Sequence, residues 1–256
     1  MLVHYIYDGS FDGFLTAIFD MYERRPAVAT IVRDEFATET LFDEIHKVYT
    51  DQAKSERVWK GINKKMGTKG AQLIYKAFLG EMIDMERVVK RAIQKGFAGV
   101  DIINTYNDLD ILKLNQMVKK VDREKHRMNA FIRFRESKDG IYFATIEPDY
   151  NVLPLNAKHF KNRYADQKWL IYDLCRNYGL YYDLKKVETV SLAISKDINT
   201  SLAAPIYFTE DEMQYQELWK NYFKSTNIAS RKNMRLHIQH VPKRYWKYLS
   251  EKQPDF

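Results

Sequence analysis

The sequence predicts an α+β fold, an antiparallel sheet built from hairpins with a central helical block. Residues 51–125 contain no proline and carry apolar side chains at helical spacing. After Met128 the texture changes to short alternating runs separated by turn residues. Strands that come in hairpins and helices that come in a block place the chain in the α+β class.

The elements follow in order. Leu2–Tyr7 alternates as a short strand, and Asp8-Gly9-Ser10 turns the chain into a helix with Phe11, Phe14, Leu15, Ile18, Phe19 and Tyr22 on one face. Ser10 or Asp8 caps that helix, Pro26 stops it, and Ala27–Val32 reads as a second strand. Four helices are expected in the block. They are marked by Val58, Ile62 and Met66; by Leu73, Ile74, Ala77 and Phe78; by Met82, Met85, Val88, Val89 and Ala92; and by Leu109, Leu112 and Val121. Gly80 falls inside a continuous helix or between two. Asn129–Arg135 and Ile141–Ile146 alternate around the turn Lys138-Asp139-Gly140. Asn156–Tyr164 reads as a helix, Trp169–Leu174 and Gly179–Asp183 as a second hairpin, and Val187–Ile194 as a strand. A helix over Glu210–Lys224 leads to a last helix started by Pro242.

A chain of 256 residues buries a substantial core. It is read as one domain over 1–256, with a helical subdomain at about 51–125 and a basic-aromatic segment at 219–252. The single cysteine, Cys175, excludes an internal disulfide framework, an iron–sulfur cluster or a thiolate zinc site made by this chain alone. Asp8 and Asp12 interrupt the N-terminal apolar stretch, so it is not read as a signal peptide. No apolar run approaches the ~18 residues of a membrane span. The expectation is a soluble cytoplasmic protein without cofactor or metal.

Charge gives the strongest functional indication. Of the 41 Lys/Arg residues, nine lie between Trp219 and Lys252 beside one acid, Glu251, whereas basic and acidic residues balance over 1–218. The net charge of +7 is therefore a feature of the C-terminus. Aromatics alternate with it in Lys243-Arg244-Tyr245-Trp246-Lys247-Tyr248. Cations neutralise phosphates and flat rings stack on bases, which suits nucleic acid. The same pattern also describes an amphipathic terminal helix with inward rings and solvated lysines. The nucleic-acid candidates are Arg231, Lys232, Arg235, Lys243, Arg244, Tyr245, Trp246 and Lys247. Arg133 and Arg135, two apart on an expected strand, either extend that surface or are ordinary outward residues.

Catalytic motifs are sparse. Met66-Gly67-Thr68-Lys69-Gly70 lacks the glycine spacing of a phosphate loop. His237 and His240 share a helix face without a nearby carboxylate or thiol to complete a metal set. Cys175 lies in an apolar stretch and reads as an inert core thiol. Asp8 and Asp12, where a strand feeds a helix, are either caps or weak catalytic candidates, with His4 as a further member of such a site.

The N-terminal run Tyr7–Phe19 resembles the start of a family assigned to DNA metabolism and repair. Phe131-Ile132-Arg133-Phe134, Ile146-Glu147-Pro148, Val152-Leu153-Pro154, His159-Phe160 through Arg163-Tyr164, Lys168–Asp173 and Pro242–Leu249 are similar to its later signatures. The resemblance implies a DNA-binding accessory protein beside a radical-SAM enzyme that repairs or modifies DNA. A similar domain precedes uracil-DNA glycosylase-like domains in longer proteins. It carries over no catalytic residues, and whether the chain is an enzyme stays open. The alternatives are a nucleic-acid-processing hydrolase using Asp8 and Asp12, and a protein scaffold that does not bind DNA.

Overall fold

The chain divides into two units, Met1–Asp122 and Arg123–Phe256. The computed structural model describes residues 2–38, 43–192, 208–209, 211–212, 214–215, 217–219, 221 and 234–252. The fold is α+β.

In the first unit, β1 (Leu2–Tyr7) buries Val3, Tyr5 and Tyr7 on one face, as its alternation requires. It is the central strand of a three-stranded sheet, between β2 (Val28–Arg33) and β3 (Glu44–Lys47). Both neighbours run parallel to it, with Tyr5 opposite Ile31 and His46. This differs from the hairpin-built antiparallel sheet expected from sequence. A helix follows β1, returning the chain to the start of the sheet, and parallel neighbours need such a crossover. That helix, α1 (Phe11–Arg24), buries Phe14, Leu15, Ile18 and Met21, and ends where Arg25 adopts a left-handed conformation.

Helix α2 (Gln52–Phe78) joins the first two expected helices across Gly67, whose φ of 67° and ψ of 175° break the helical path. The helix ends before Gly80, and a side chain at that glycine would overlap Met117. Helix α3 (Met85–Phe97) buries Val88, Val89, Ala92 and Ile93. The division between the units falls within α4 (Leu109–Phe131).

The second unit contains a sheet ordered β4-β5-β6-β7-β8. The expected hairpins are present. Strands β4 (Arg135–Glu136) and β5 (Tyr142–Ile146) are antiparallel around a turn closed by the Gly140 amide on the Ser137 carbonyl. Strands β6 (Trp169–Asp173), β7 (Tyr178–Tyr182) and β8 (Val187–Val190) are successively antiparallel. Between the two hairpins, α5 (Leu153–Arg163) makes β5 and β6 parallel, so this sheet is mixed. The strand expected from Asn129 is shortened, because α4 continues to Phe131 and the Ile132 amide still reaches the Met128 carbonyl. Val121, Glu124 and Met128 are all buried on that helix, so helical periodicity outweighs the short alternation.

Toward the C-terminus, α6 (Met234–His240) precedes a 3-10 turn over Lys243–Tyr248. The helix expected after Pro242 is thus a tighter winding. Among the described residues, no helix is long and apolar enough to cross a membrane.

Candidate functional site

The basic-aromatic run acquires its geometry from the 3-10 winding. With about three residues per turn, positions three apart share an edge. Pro242, Tyr245 and Tyr248 fall on the inner edge, and Tyr245 is only 2% exposed. Arg244 and Lys247 form a second edge and each reaches an acid. Arg244 Nη2 lies 2.9 Å from Glu124 Oε2 and 2.7 Å from Asp149 Oδ2, while Lys247 pairs with Glu147.

Glu124 is the hub. It is 1% exposed, and its Oε1 accepts hydrogen bonds from the Tyr245 hydroxyl and, at 3.1 Å, from the Asp149 amide. Arg127 approaches its other oxygen at 3.6 Å. Burial raises the Tyr245 pKa, and the hydrogen bond to Glu124 raises it further, so the phenol stays a proton donor. The Tyr245 ring lies 5.3 Å from that of Phe131. The expected stacking role for Tyr245 is therefore corrected: its ring is part of the core.

Trp246 is half-buried, donating its indole N–H to the Val241 carbonyl at 3.0 Å, with Lys252 over its ring. Lys243 and Arg235 are exposed, as is the paired Lys247. Arg231 and Lys232 lie outside the described residues. His237 packs against Trp246 at 5.9 Å, and no cluster of potential metal ligands occurs among the described residues. Arg135 is drawn inward, with its guanidinium 3.9 Å from the Phe208 ring centroid. Burial lowers its pKa to about 10, with Glu212 opposing the shift. Cys175, expected in the core, is exposed in the turn after β6.

Of the N-terminal carboxylates, Asp8 sits in the loop after β1 and Asp12 in the first turn of α1. Asp8 Oδ1 accepts from the Ser10 amide at 2.9 Å and hydroxyl at 2.6 Å, and Oδ2 accepts from Thr50 Oγ1 at 2.7 Å. Ser10 caps α1 by accepting from the Gly13 amide. Asp12 accepts from Ser55 Oγ at 2.9 Å. The two acids thus tie the start of α1 to the start of α2. His4 is engaged elsewhere, with Thr30 at 2.8 Å and Asp43 at 3.2 Å. Asp12 also borders a cleft of about 260 Å³ walled by Phe11, Trp59 and Tyr75.

A second cleft, of about 270 Å³, went unrecognised in the sequence. It is lined by Ile132, Arg133, Phe134, Tyr142, Tyr164, Gln167 and Trp169, drawn from the segment after α4, β5, the loop after α5 and β6. Trp169 is 1% exposed, and its Nε1 finds no hydrogen-bond partner. Phe134 meets Tyr164 edge-on at 5.2 Å and lies 6.5 Å from Trp169. The available signal was aromatic density: four of these seven positions are Phe, Tyr or Trp.

A family model for a domain of unknown function, DUF4130, matches residues 83–251. The chain belongs to that family. The DUF4130 match takes in α3, α4, all of the second sheet, Glu124 and the 3-10 turn, and leaves β1 and the Asp8 loop outside. No curated protein matches the chain.

Proposed function

We propose that this DUF4130 protein is a DNA-binding accessory protein in DNA repair or modification, presenting DNA to a radical-SAM partner. The observation that carries the reading is the location of the charge: the excess over neutrality lies in residues 219–252. Within that segment Arg235 and Lys243 present exposed cations, and Lys247 extends the surface. The anchor at Glu124 supports the reading physically. A turn held by a buried tyrosine and three ion pairs presents its cations with little ordering left to complete on binding. The charge speaks for nucleic acid in general; the resemblance to DNA-repair proteins selects DNA and suggests the partner.

Asp8 and Asp12 are committed to hydrogen bonds with Ser10, Thr50 and Ser55, which gives a hydrolytic reading no comparable support. The test is fluorescence anisotropy with labelled single- and double-stranded DNA across a salt series. Binding that weakens linearly in log–log form with salt is expected, each phosphate contact contributing about −0.9 to the slope on duplex. Absence of binding at low salt overturns the reading and leaves the protein-scaffold alternative, to be pursued by co-purification with the radical-SAM protein.

A further inference from the structure

We propose that the cleft between Tyr164 and Trp169 is a nucleobase pocket, selective for a base that carries an exocyclic carbonyl. The inference deepens the DNA-binding reading and rests on it for the macromolecular source of the base. It stands on three features of the cleft.

First, the walls are flat. Phe134, Tyr142, Tyr164 and Trp169 all contribute to the lining, and aromatic faces of this kind favour a planar guest. Second, the cleft is small. At about 270 Å³ it falls just below the roughly 300–1,000 Å³ typical of sites for drug-sized ligands, and suits one ring system.

Third, its polar groups favour acceptors on the ligand. No acidic residue lines the cleft, whereas Arg133, Tyr142, Tyr164, Gln167 and Trp169 among its lining residues all carry hydrogen-bond donors. The Trp169 N–H is decisive because it is buried and unpartnered. A buried donor without an acceptor is costly, and a ligand carbonyl would relieve that cost. Arg133 is held in place from behind, donating to the Ala130 carbonyl at 2.7 Å and pairing with Glu251 at 2.9 Å. Burial, then the nearby Glu136, raises the Tyr142 pKa and keeps its hydroxyl protonated. Thymine presents two carbonyl oxygens to such a set, whereas adenine presents none.

The experiment is calorimetric titration of the full chain with thymidine, deoxyadenosine and inorganic phosphate. It is repeated with Trp169→Phe, which removes the donor and keeps a ring, and with the half-buried Gln167→Ala. Thymidine is expected to bind saturably and more tightly than deoxyadenosine, with no phosphate binding. Each variant should weaken thymidine about three- to tenfold, the worth of one hydrogen bond, while retaining its circular dichroism. Equal binding of the two nucleosides, phosphate binding, unchanged affinity in both variants, or no thymidine binding overturns the pocket. The DNA salt series separates the two readings. Salt-dependent DNA binding without thymidine binding removes only the pocket; thymidine binding without DNA binding removes only the DNA surface.

Discussion

Tyr245 donates its hydroxyl proton to Glu124, 121 residues earlier in the chain. The contact fixes a turn of basic residues to a buried carboxylate on α4. The same carboxylate takes Arg244, so the run of alternating cations and rings is partly an internal clasp.

That clasp predicts a stability effect. Tyr245→Phe keeps the ring against Phe131 and deletes the hydroxyl, leaving a buried polar group short of a partner. The expected loss is about 1–3 kcal/mol, measured by urea unfolding. Glu124→Ala should cost at least as much, because it removes the acceptor of the buried Tyr245 hydroxyl and one of the two ion pairs of Arg244, which keeps Asp149.

The C-terminal cations should then divide by role. Arg235→Ala combined with Lys243→Ala should leave unfolding unchanged within about 0.5 kcal/mol. It should weaken DNA binding and make the salt slope shallower by roughly 2. Arg244→Ala should lower stability through the lost pairs with Glu124 and Asp149. Anisotropy and unfolding measured on the same three proteins check the division; equal slopes in the double variant and wild type would remove Arg235 and Lys243 from the DNA surface.

The sequence made these roles only partly legible. Helices α1 to α4 were visible because their apolar residues recur at 3.6-residue spacing, and both hairpins were marked by turn residues that the structure uses at Gly140 and Asn177. The parallel pairings were missed although their cause was present: α1 and α5 each stand between two strands. Lys243–Tyr248 showed its alternation, but alternation does not reveal that a 3-10 winding turns every third residue inward. Nor did anything local distinguish Glu124 from its near neighbour Asp122. One enters the Arg244 network and the other pairs with Lys76 at 2.6 Å. The cleft around Trp169 was illegible for a related reason, since its residues come from separate elements spread between Ile132 and Trp169.

Asp8 supplies a pH-dependent prediction. Partial burial pushes its pKa up, but hydrogen bonds from the Ser10 and Thr50 hydroxyls and the Ser10 amide outweigh that and leave it lowered. An acid with a depressed folded pKa stabilises above its unfolded value, near ~3.9, and loses that contribution as pH falls through the lower folded value. Asp8→Asn should therefore be less stable than wild type at neutral pH, and the gap should close below about pH 4. Urea midpoints of both proteins from neutral to acidic pH check the direction; a gap constant with pH would show that the carboxylate charge contributes nothing.

Gly13 offers the sharpest test of how the Asp8 loop is packed. It lies in the first turn of α1, where replacing glycine by alanine ordinarily favours a helix by about 1 kcal/mol. Here a methyl group would overlap the Asp8 carboxylate and approach the Thr50 hydroxyl to 2.8 Å. The overlap should reverse the usual sign, making Gly13→Ala destabilising by about 1–3 kcal/mol. The reversal must depend on Asp8 if this cause is right. In an Asp8→Ala background the cost of Gly13→Ala should fall, giving a coupling above about 0.5 kcal/mol in a double-mutant cycle. Additive losses would place the strain in the backbone and not between these two side chains.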